Sequence, residues 1–380
     1  MACRKLFEVL EPYKLAHSKL HFTSEVLGHG SYATVLKLNY MGLKCAGKKI
    51  HEVLVMEENT TYTVQRFQEE CKLLSQIRHP NVVQFLGVCF QDGEAKVPIL
   101  VMEYLALNLT NCIEKYKMLP NEISYSILHD VALGLYYLHS HSPDPIIHRD
   151  LSSNNILLTT HMTAKISDLG MARLANTSHE KAKEMTITPG TPIFMPPETM
   201  LQNPVYDVGV DRFSYGIVML HVLSGMWPEP HTQPICTIGN ILEPVSEAAR
   251  RDHLIQKIGR DHPLMELILK CIDNDPKERA SAKDMVEKVA EMIPVSIDNQ
   301  LEMIKCLEDN EKQKNVSKRS KQDKILVAEE VKRELQSCKR TVEERMKESL
   351  EINGLQERVT DLRKGNDNIC AENSDLDLKV

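Results

Sequence analysis

Asp150 and Asn155 lie five residues apart in the stretch Ile147-His148-Arg149-Asp150-Leu151-Ser152-Ser153-Asn154-Asn155, and Asp168-Leu169-Gly170 begins eighteen residues after Asp150. No other feature constrains the chain as tightly. An Asp followed at this interval by an Asn can place a proton acceptor and a metal ligand at one strand end, and a second Asp before a Gly can put another carboxylate on the same metal. Upstream, Gly28-His29-Gly30-Ser31-Tyr32-Ala33-Thr34-Val35 has glycines that let a loop bend tightly and bring its N–H groups near phosphate oxygens. Taken alone, that segment fits a simple hairpin turn better.

His-Arg-Asp-Leu-x-x-x-Asn followed by Asp-x-Gly resembles the signature of the protein kinase superfamily. The resemblance runs from about Phe22 to Ile293 without a gap in motif order. It implies an α+β, bilobal fold: a small β-rich N-lobe with one helix, αC, and a larger helical C-lobe. It also implies ATP and Mg2+ or Mn2+, with protein substrates. Asp150 is then the group that accepts or orients the hydroxyl proton, and Asn155 and Asp168 are the metal ligands. The glycine-rich segment becomes a phosphate lid, with Leu27, Gly28, His29, Gly30, Ser31 and Val35 around the nucleotide and Ala33 where a third Gly usually sits. Ala46-Gly47-Lys48-Lys49-Ile50 is similar to the family's Val-Ala-Ile-Lys, with Ala46 at the nucleotide and Lys48 on the α- and β-phosphates. Lys49 faces the opposite side of the strand, because side chains alternate.

Between Val64 and Ile77 the apolar residues Phe67, Cys71, Leu73, Leu74 and Ile77 fit one face of a helix. This segment is similar to αC, and Glu69 and Glu70 are both candidates for the partner of Lys48. Counting nine residues back from His79 of His79-Pro80-Asn81, the spacing of tyrosine-kinase-like relatives, selects Glu70. Ile99 to Leu105 reads as a buried strand entering the hinge. The resemblance makes Met102 the gatekeeper, puts the backbone of Glu103 and Leu105 on adenine, and adds Leu157 to the nucleotide contacts. In the C-lobe, Pro196-Pro197-Glu198 stands where Ala-Pro-Glu is usual, with Arg279 as the expected ion-pair partner of Glu198. Asp211-Arg212-Phe213-Ser214-Tyr215-Gly216 resembles the opening of the central helix, whose Asp braces the catalytic loop.

The chain departs from the family at two positions of consequence. Serine/threonine kinases carry Lys two residues after the catalytic Asp, and tyrosine kinases carry Arg two or four residues after it. Here those positions are Ser152 and Asn154, so the cation that neutralises the transferring phosphate is missing. An active kinase is the first reading, and an ATP-binding pseudokinase scaffold is its rival. Leu169 for the usual Phe is a mild change that keeps an apolar side chain against Leu74 and His148. Gly190-Thr191-Pro192-Ile193-Phe194-Met195 resembles the Gly-Thr-x-x-Tyr/Trp-Met of serine/threonine kinases. Phe85-Leu86-Gly87-Val88-Cys89 looks like the tyrosine-kinase-like group. Serine/threonine specificity is therefore expected over tyrosine or dual specificity. Thr177, Ser178, Thr186 and Thr188 lie between Asp168 and Glu198. Thr186 and Thr188 are the candidates for a phosphate that pairs with Arg149.

A chain of 380 residues with 42% hydrophobic residues has material for two lobes and an extension. Ten cysteines without a Cys-x-x-Cys pair indicate neither a zinc site nor a disulfide framework and suit a reducing, cytoplasmic setting. Met1 to Lys14 lacks a signal-peptide core and residue 2 is Ala, which argues against secretion and myristoylation. No apolar run approaches the roughly 20 residues of a membrane span, and a net charge of -7 gives no reason to expect nucleic acid.

The expected organisation is an N-terminal extension over 1–21 and a kinase domain over 22–293, with 22–105 as N-lobe and hinge and 106–293 as C-lobe. A charged linker over 294–324 and a helical segment over 325–380 follow. From Ser296 onward there is no proline and no aromatic residue. Val331, Leu335, Cys338 and Val342 recur at steps of four and three, continue through Met346 and Leu350, and resume after a shift near Ile352 at Leu355, Val359, Leu362 and Ile369. This spacing reads as a coiled coil with a second copy or a partner helix. Gly354 and Gly365 weaken it by about 1 kcal/mol each, and a solvated helix or disordered tail is the other reading.

Overall fold

In the computed structural model, residues 14–103 build one six-stranded sheet with a helix. The elements are β1 (Lys14–Leu15), β2 (Leu20–His29), β3 (Ala33–Tyr40), β4 (Leu43–Ile50), α1 (Thr60–Gln76), β5 (Phe85–Cys89) and β6 (Ile99–Glu103). The structure describes residues 10–30, 33–51, 60–90, 98–174, 192–200, 206–229, 235–238, 241–244 and 247–293. Ser31, Thr177, Ser178, Thr186, Thr188, Gly190, Thr191, the linker and the seam of 325–380 lie outside the described residues. The chain divides into two compact units, Met1–Met303 and Ile304–Val380, and every described residue belongs to the first.

The strand order is β1-β5-β6-β4-β3-β2. Central β6 is hydrogen-bonded on both sides, and Ile99, Leu100 and Val101 are fully buried, which is why it reads as an unbroken apolar run rather than an alternating one. Met41 and Gly42 turn β3 into β4 with φ of 52° and 91°, the paired left-handed conformation that matches strand twist in a tight hairpin. Gly47 on β4 has no room for a side chain, because Leu38 of β3 and Ile99 of β6 fill the space above it. Residues 10–15, within the expected N-terminal extension, join this sheet. Leu10 is 1% exposed, β1 runs parallel to β5, and the Tyr13 and Phe85 rings meet edge to face at 5.6 Å.

The part from 107 to 290 is mainly helical among the described residues. It contains β7 (Leu107–Asn108), α2 (Leu109–Tyr116), α3 (Asn121–His139), β8 (Ile146–Ile147), β9 (Ile156–Leu158), β10 (Ala164–Ile166) and β11 (Arg173–Leu174). These are followed by α4 (Gly209–Ser224), the β12 (Ile235–Ile238) and β13 (Ile241–Pro244) hairpin, α5 (Glu247–Ile258), α6 (Met265–Cys271) and α7 (Ala282–Ala290). α4 is buried on nearly every face, as expected of a helix apolar all round. α3 presents Ile127, Leu128, Val131, Leu135 and Leu138, all 0% exposed, each contributing about 1.5–3 kcal/mol by burial. A capping box between Ser281 and Asp284 starts α7, satisfying N–H groups that the first turn leaves open. The α+β, two-lobed arrangement expected from the sequence is the one found.

Candidate active site

The eighteen-residue interval between Asp150 and Asp168 is spanned by a hairpin. Asn155 immediately precedes β9, Asp168 follows β10 by one residue, and the strands pair antiparallel with Ile156 opposite Ile166. Ser167 closes that end, its N–H and its Oγ both donating to the Asn155 carbonyl at 2.8 and 2.9 Å. Asn155 and Asp168 are thereby brought to the same end of one ribbon. Asn155 Nδ2 donates to the Asp150 carbonyl at 2.7 Å and to Asp150 Oδ2 at 3.0 Å, so the amide orients the carboxylate five residues before it. Burial raises the Asp150 pKa to about 6, and nearby Asp168 adds to the rise.

Lys48 reaches this point from β4. Its Nζ lies 2.8 Å from Glu70 Oε1 on α1 and 2.8 Å from Asp168 Oδ1. Burial alone favours the neutral amine, but the two carboxylates override it and raise the Lys48 pKa well above its ordinary value. Asp168 is held below its usual range, first by Lys48. Its side chain is 47% exposed, whereas those of Lys48 and Glu70 are 10% and 3% exposed, so the cluster opens through Asp168. Glu70 is the partner of Lys48, and Glu69 instead lies 3.6 Å from Arg173. A Cβ at Gly170 would stand 2.9 Å from Lys48 Nζ, so the glycine of Asp-Leu-Gly makes room for the ion cluster. Leu169 is buried in a short turn that packs against α1.

Asp211 braces the catalytic loop from α4. Its carboxylate accepts from the backbone N–H of His148 and of Arg149, both at 2.8 Å, and lies 2.9 Å from His139 Nε2. Burial opposes ionisation there, yet these hydrogen bonds hold Asp211 below its usual range. Arg149 sits at φ 70° and Asp168 at φ 58°, left-handed conformations that cost on the order of 1 kcal/mol or more in non-glycine residues and persist where surrounding bonds over-determine them. The Arg149 guanidinium stacks on the Tyr206 ring at 3.9 Å. Arg279 and Glu198 form the expected pair, with Nη1–Oε1 at 2.6 Å and Nη2–Oε2 at 2.9 Å.

Most of the other described candidates lie on strands. Gly28 pairs with Val35 across β2 and β3, Ala46 pairs with Met102 across β4 and β6, and Leu157 sits mid-strand in β9. Gly30 N–H donates to the Ala33 carbonyl at 2.9 Å, closing the loop tip, and Thr34 Oγ1 lies 3.4 Å from His29 Nδ1. Leu27 is partly exposed beside them. Glu103 begins the hinge that runs to Leu105, and its side chain accepts from Gln84 N–H and Lys165 Nζ, both at 2.7 Å. That tie was not visible in the sequence, nor was a contact between Ser153 and His221 at 2.8 Å. Lys165 sits three residues before Asp168, but nothing in its spacing points to Glu103.

Among the described residues, no three His, Cys, Asp or Glu side chains gather into a metal cluster. The donor set present, one open carboxylate and one amide, still fits Mg2+, which keeps several waters and takes one or two protein oxygens together with substrate phosphates. Asp168 and Asn155 are the residues that would hold it. No helix among the described residues is long and apolar enough to cross a membrane.

Comparison with known proteins gives concordant matches. The family described as protein kinase domain matches residues 22–289. The dual specificity protein kinase shkC of Dictyostelium discoideum is 30% identical over 287 residues, covering 74% of this chain and 53% of its own. The serine/threonine-protein kinase VIK of Arabidopsis thaliana is 32% identical over 293 residues, covering 75% and 63%. The seven transmembrane domain-containing tyrosine-protein kinase 1 of Dictyostelium discoideum is 28% identical over 296 residues, covering 75% and 40%. The chain thus spans less than two thirds of the length of each of these curated relatives.

Proposed function

Because this chain belongs to the protein kinase domain family, we propose that it transfers the γ-phosphate of ATP to Ser or Thr hydroxyls of protein substrates. The observation that carries the reading is Lys48 Nζ held 2.8 Å from both Glu70 and Asp168, a paired cation beside an open carboxylate. Lys48 binds the α- and β-phosphate oxygens, and Glu70 keeps its ammonium aimed. The loop from Gly28 to Val35, Ser31 included, covers the phosphates. Leu27, Ala46, Met102 and Leu157 flank the adenine, whose edge meets the backbone of Glu103 and Leu105. Asp150, oriented by Asn155, accepts or directs the hydroxyl proton as that oxygen bonds to phosphorus and the β–γ bridging bond breaks. Asn155 and Asp168 would hold a divalent cation, which would supply charge neutralisation at the phosphates.

Specificity for Ser and Thr is supported by Gly190-Thr191-Pro192-Ile193-Phe194-Met195. The relatives' names span serine/threonine, dual-specificity and tyrosine kinases, so the hydroxyl class is the finer part of the proposal. The reading extends to a kinase domain over 22–293, a cytoplasmic setting, and association through 325–380. Phosphotransfer to a generic protein substrate, followed by phospho-amino-acid analysis, tests activity and hydroxyl class together. Phosphoserine and phosphothreonine are expected, with turnover abolished in Asp168→Ala. Equal turnover in wild type and Asp168→Ala favours the alternative of an ATP-binding scaffold, which the missing cation at Ser152 and Asn154 motivates. Light scattering on the full chain and on a chain ending at residue 293 tests association: a monomer in both cases rejects it.

A further inference from the structure

His221 of α4 and Ser153 of the catalytic loop meet beneath the site. Ser153 Oγ lies 2.8 Å from His221 Nδ1, and the two residues are 0% and 1% exposed. Burial draws the His221 pKa down to about 4. The ring is therefore neutral at neutral pH, and the pair shares one hydrogen bond whichever of the two atoms carries the proton. The Trp227 ring meets His221 edge to face at 5.1 Å and Phe194 at 5.6 Å. The Phe194 carbonyl in turn accepts from Ser214 Oγ, also on α4, at 2.8 Å. The imidazole is thus fixed by an aromatic contact as well as by its helix.

Ser153 opens the single 3-10 turn that ends at Asn155. Within it, Asn155 N–H donates to the Ser152 carbonyl at 3.0 Å, and the Asn155 amide holds both the carbonyl and the carboxylate of Asp150. Anchoring the first residue of so short a turn anchors the last. The two anchors of this loop on α4 are then Asp211, which takes the amides of His148 and Arg149 before Asp150, and His221, which takes Ser153 after it.

We propose that His221 is a positioning residue for phosphoryl transfer, tethering the catalytic loop to α4 through Ser153 so that Asn155 keeps Asp150 oriented. The inference rests on the kinase reading above. It assigns the role to the hydrogen bond and not to the volume of the imidazole, which is what separates it from simple mutual satisfaction of two buried polar groups.

The test uses the full 380-residue chain with Ser153→Ala, His221→Phe, His221→Asn and the Ser153→Ala/His221→Phe double variant, comparing kcat, KM for ATP and thermal unfolding. Ser153→Ala and His221→Phe are each expected to lower kcat about tenfold with KM for ATP held within about twofold, since small misplacements of catalytic groups cost rate more than binding. His221→Asn, which returns a hydrogen-bonding atom near the Nδ1 position, is expected to recover most of kcat. The double variant should be no slower than the slower single one, because both remove the same bond. Wild-type kcat in Ser153→Ala, an Asn variant as slow as Phe, or losses that multiply in the double variant overturns the proposal. If His221→Phe fails to fold, Ser153→Ala decides by the same kcat criterion. A wild-type chain without phosphotransfer overturns the kinase reading and this inference with it, whereas an active wild type with unaltered variants overturns the inference alone.

Discussion

Two groups of polar side chains flank the catalytic loop and are built on opposite rules. The group around Lys48 is ionic and open: one ammonium, two carboxylates, and Asp168 47% exposed. The group on α4 is hydrogen-bonded and closed: Asp211, His148 and Ser153 are 0% exposed and His221 is 1% exposed. In the first, one ammonium faces two carboxylates and leaves a net negative charge at the exposed Asp168, where the proposed cation would be held. In the second, the backbone N–H groups of His148 and Arg149 and the His139 ring satisfy the Asp211 carboxylate away from solvent. Removing a charge from an open ionic group costs little stability, because solvent takes over. Removing a partner from a closed one strands groups that water cannot reach. The residues proposed for phosphoryl transfer thus sit where the structure opens to solvent, and the bracing contacts where it is closed.

That contrast breaks first if Asp168→Ala behaves like a folding mutant. The expectation is a loss of phosphotransfer of about a thousandfold or more, with a change of less than about 1 kcal/mol in stability by urea unfolding. Asp211→Ala should do the reverse in the same unfolding experiment, losing about 3–5 kcal/mol because the amides of His148 and Arg149 and the ring of His139 lose their acceptor. A mild Asp211 variant would show that the closed group is less closed than its geometry.

The next effect is a pH dependence. The folded pKa of His221, about 4, lies below its ordinary 6.5, so the unfolded chain binds that proton more tightly. The stability this histidine contributes is complete above pH 6.5 and is lost as pH falls through 4. At about 1.4 kcal/mol per pKa unit the loss is on the order of 3 kcal/mol. His221→Asn should flatten the stability profile over that window by a comparable amount, and an unchanged slope would remove His221 from the closed group. The smallest effect sharpens the comparison from the open side. Asn154 is exposed, and Asn154→Arg should leave stability within about 0.5 kcal/mol and raise kcat by about threefold at most. A rise of tenfold or more would mean the open group lacks a positive charge that Lys48 does not replace.

What the sequence disclosed divides along the same line. Lys48, Glu70, Asp150, Asn155 and Asp168 were legible because each sits in a short motif with a fixed interval, and the spacing from His79 selected Glu70 over Glu69. Asp211, Glu198 and Arg279 were legible for the same reason. The Ser153–His221 contact joins residues 68 positions apart with no periodicity or motif between them, so only the folded chain brings them together. The Glu103–Lys165 pair, 62 apart, is hidden in the same way. Residues 14–15 form a strand too short to show alternation, and their pairing with β5 depends on Gly87 leaving space beside the Tyr13 carbonyl and Leu15. Gly47 stands where an apolar side chain is usual, and the compensation by Leu38 lies on a neighbouring strand.

The ribbon of β9 and β10 turns a sequence interval into a tolerance. Its far end is a turn closed by Thr159 N–H on the Thr163 carbonyl and Met162 N–H on the Thr159 carbonyl, each at 3.0 Å. Residues added there would lengthen the loop at a distance from Asn155 and Asp168 and leave their pairing untouched, since longer loops cost closure entropy only slowly. One residue added within either strand would slip the register and swap the faces of every side chain beyond it. An insertion scan across residues 156–167 should therefore trace a sharp map of permission, with phosphotransfer surviving at the tip and vanishing along both arms.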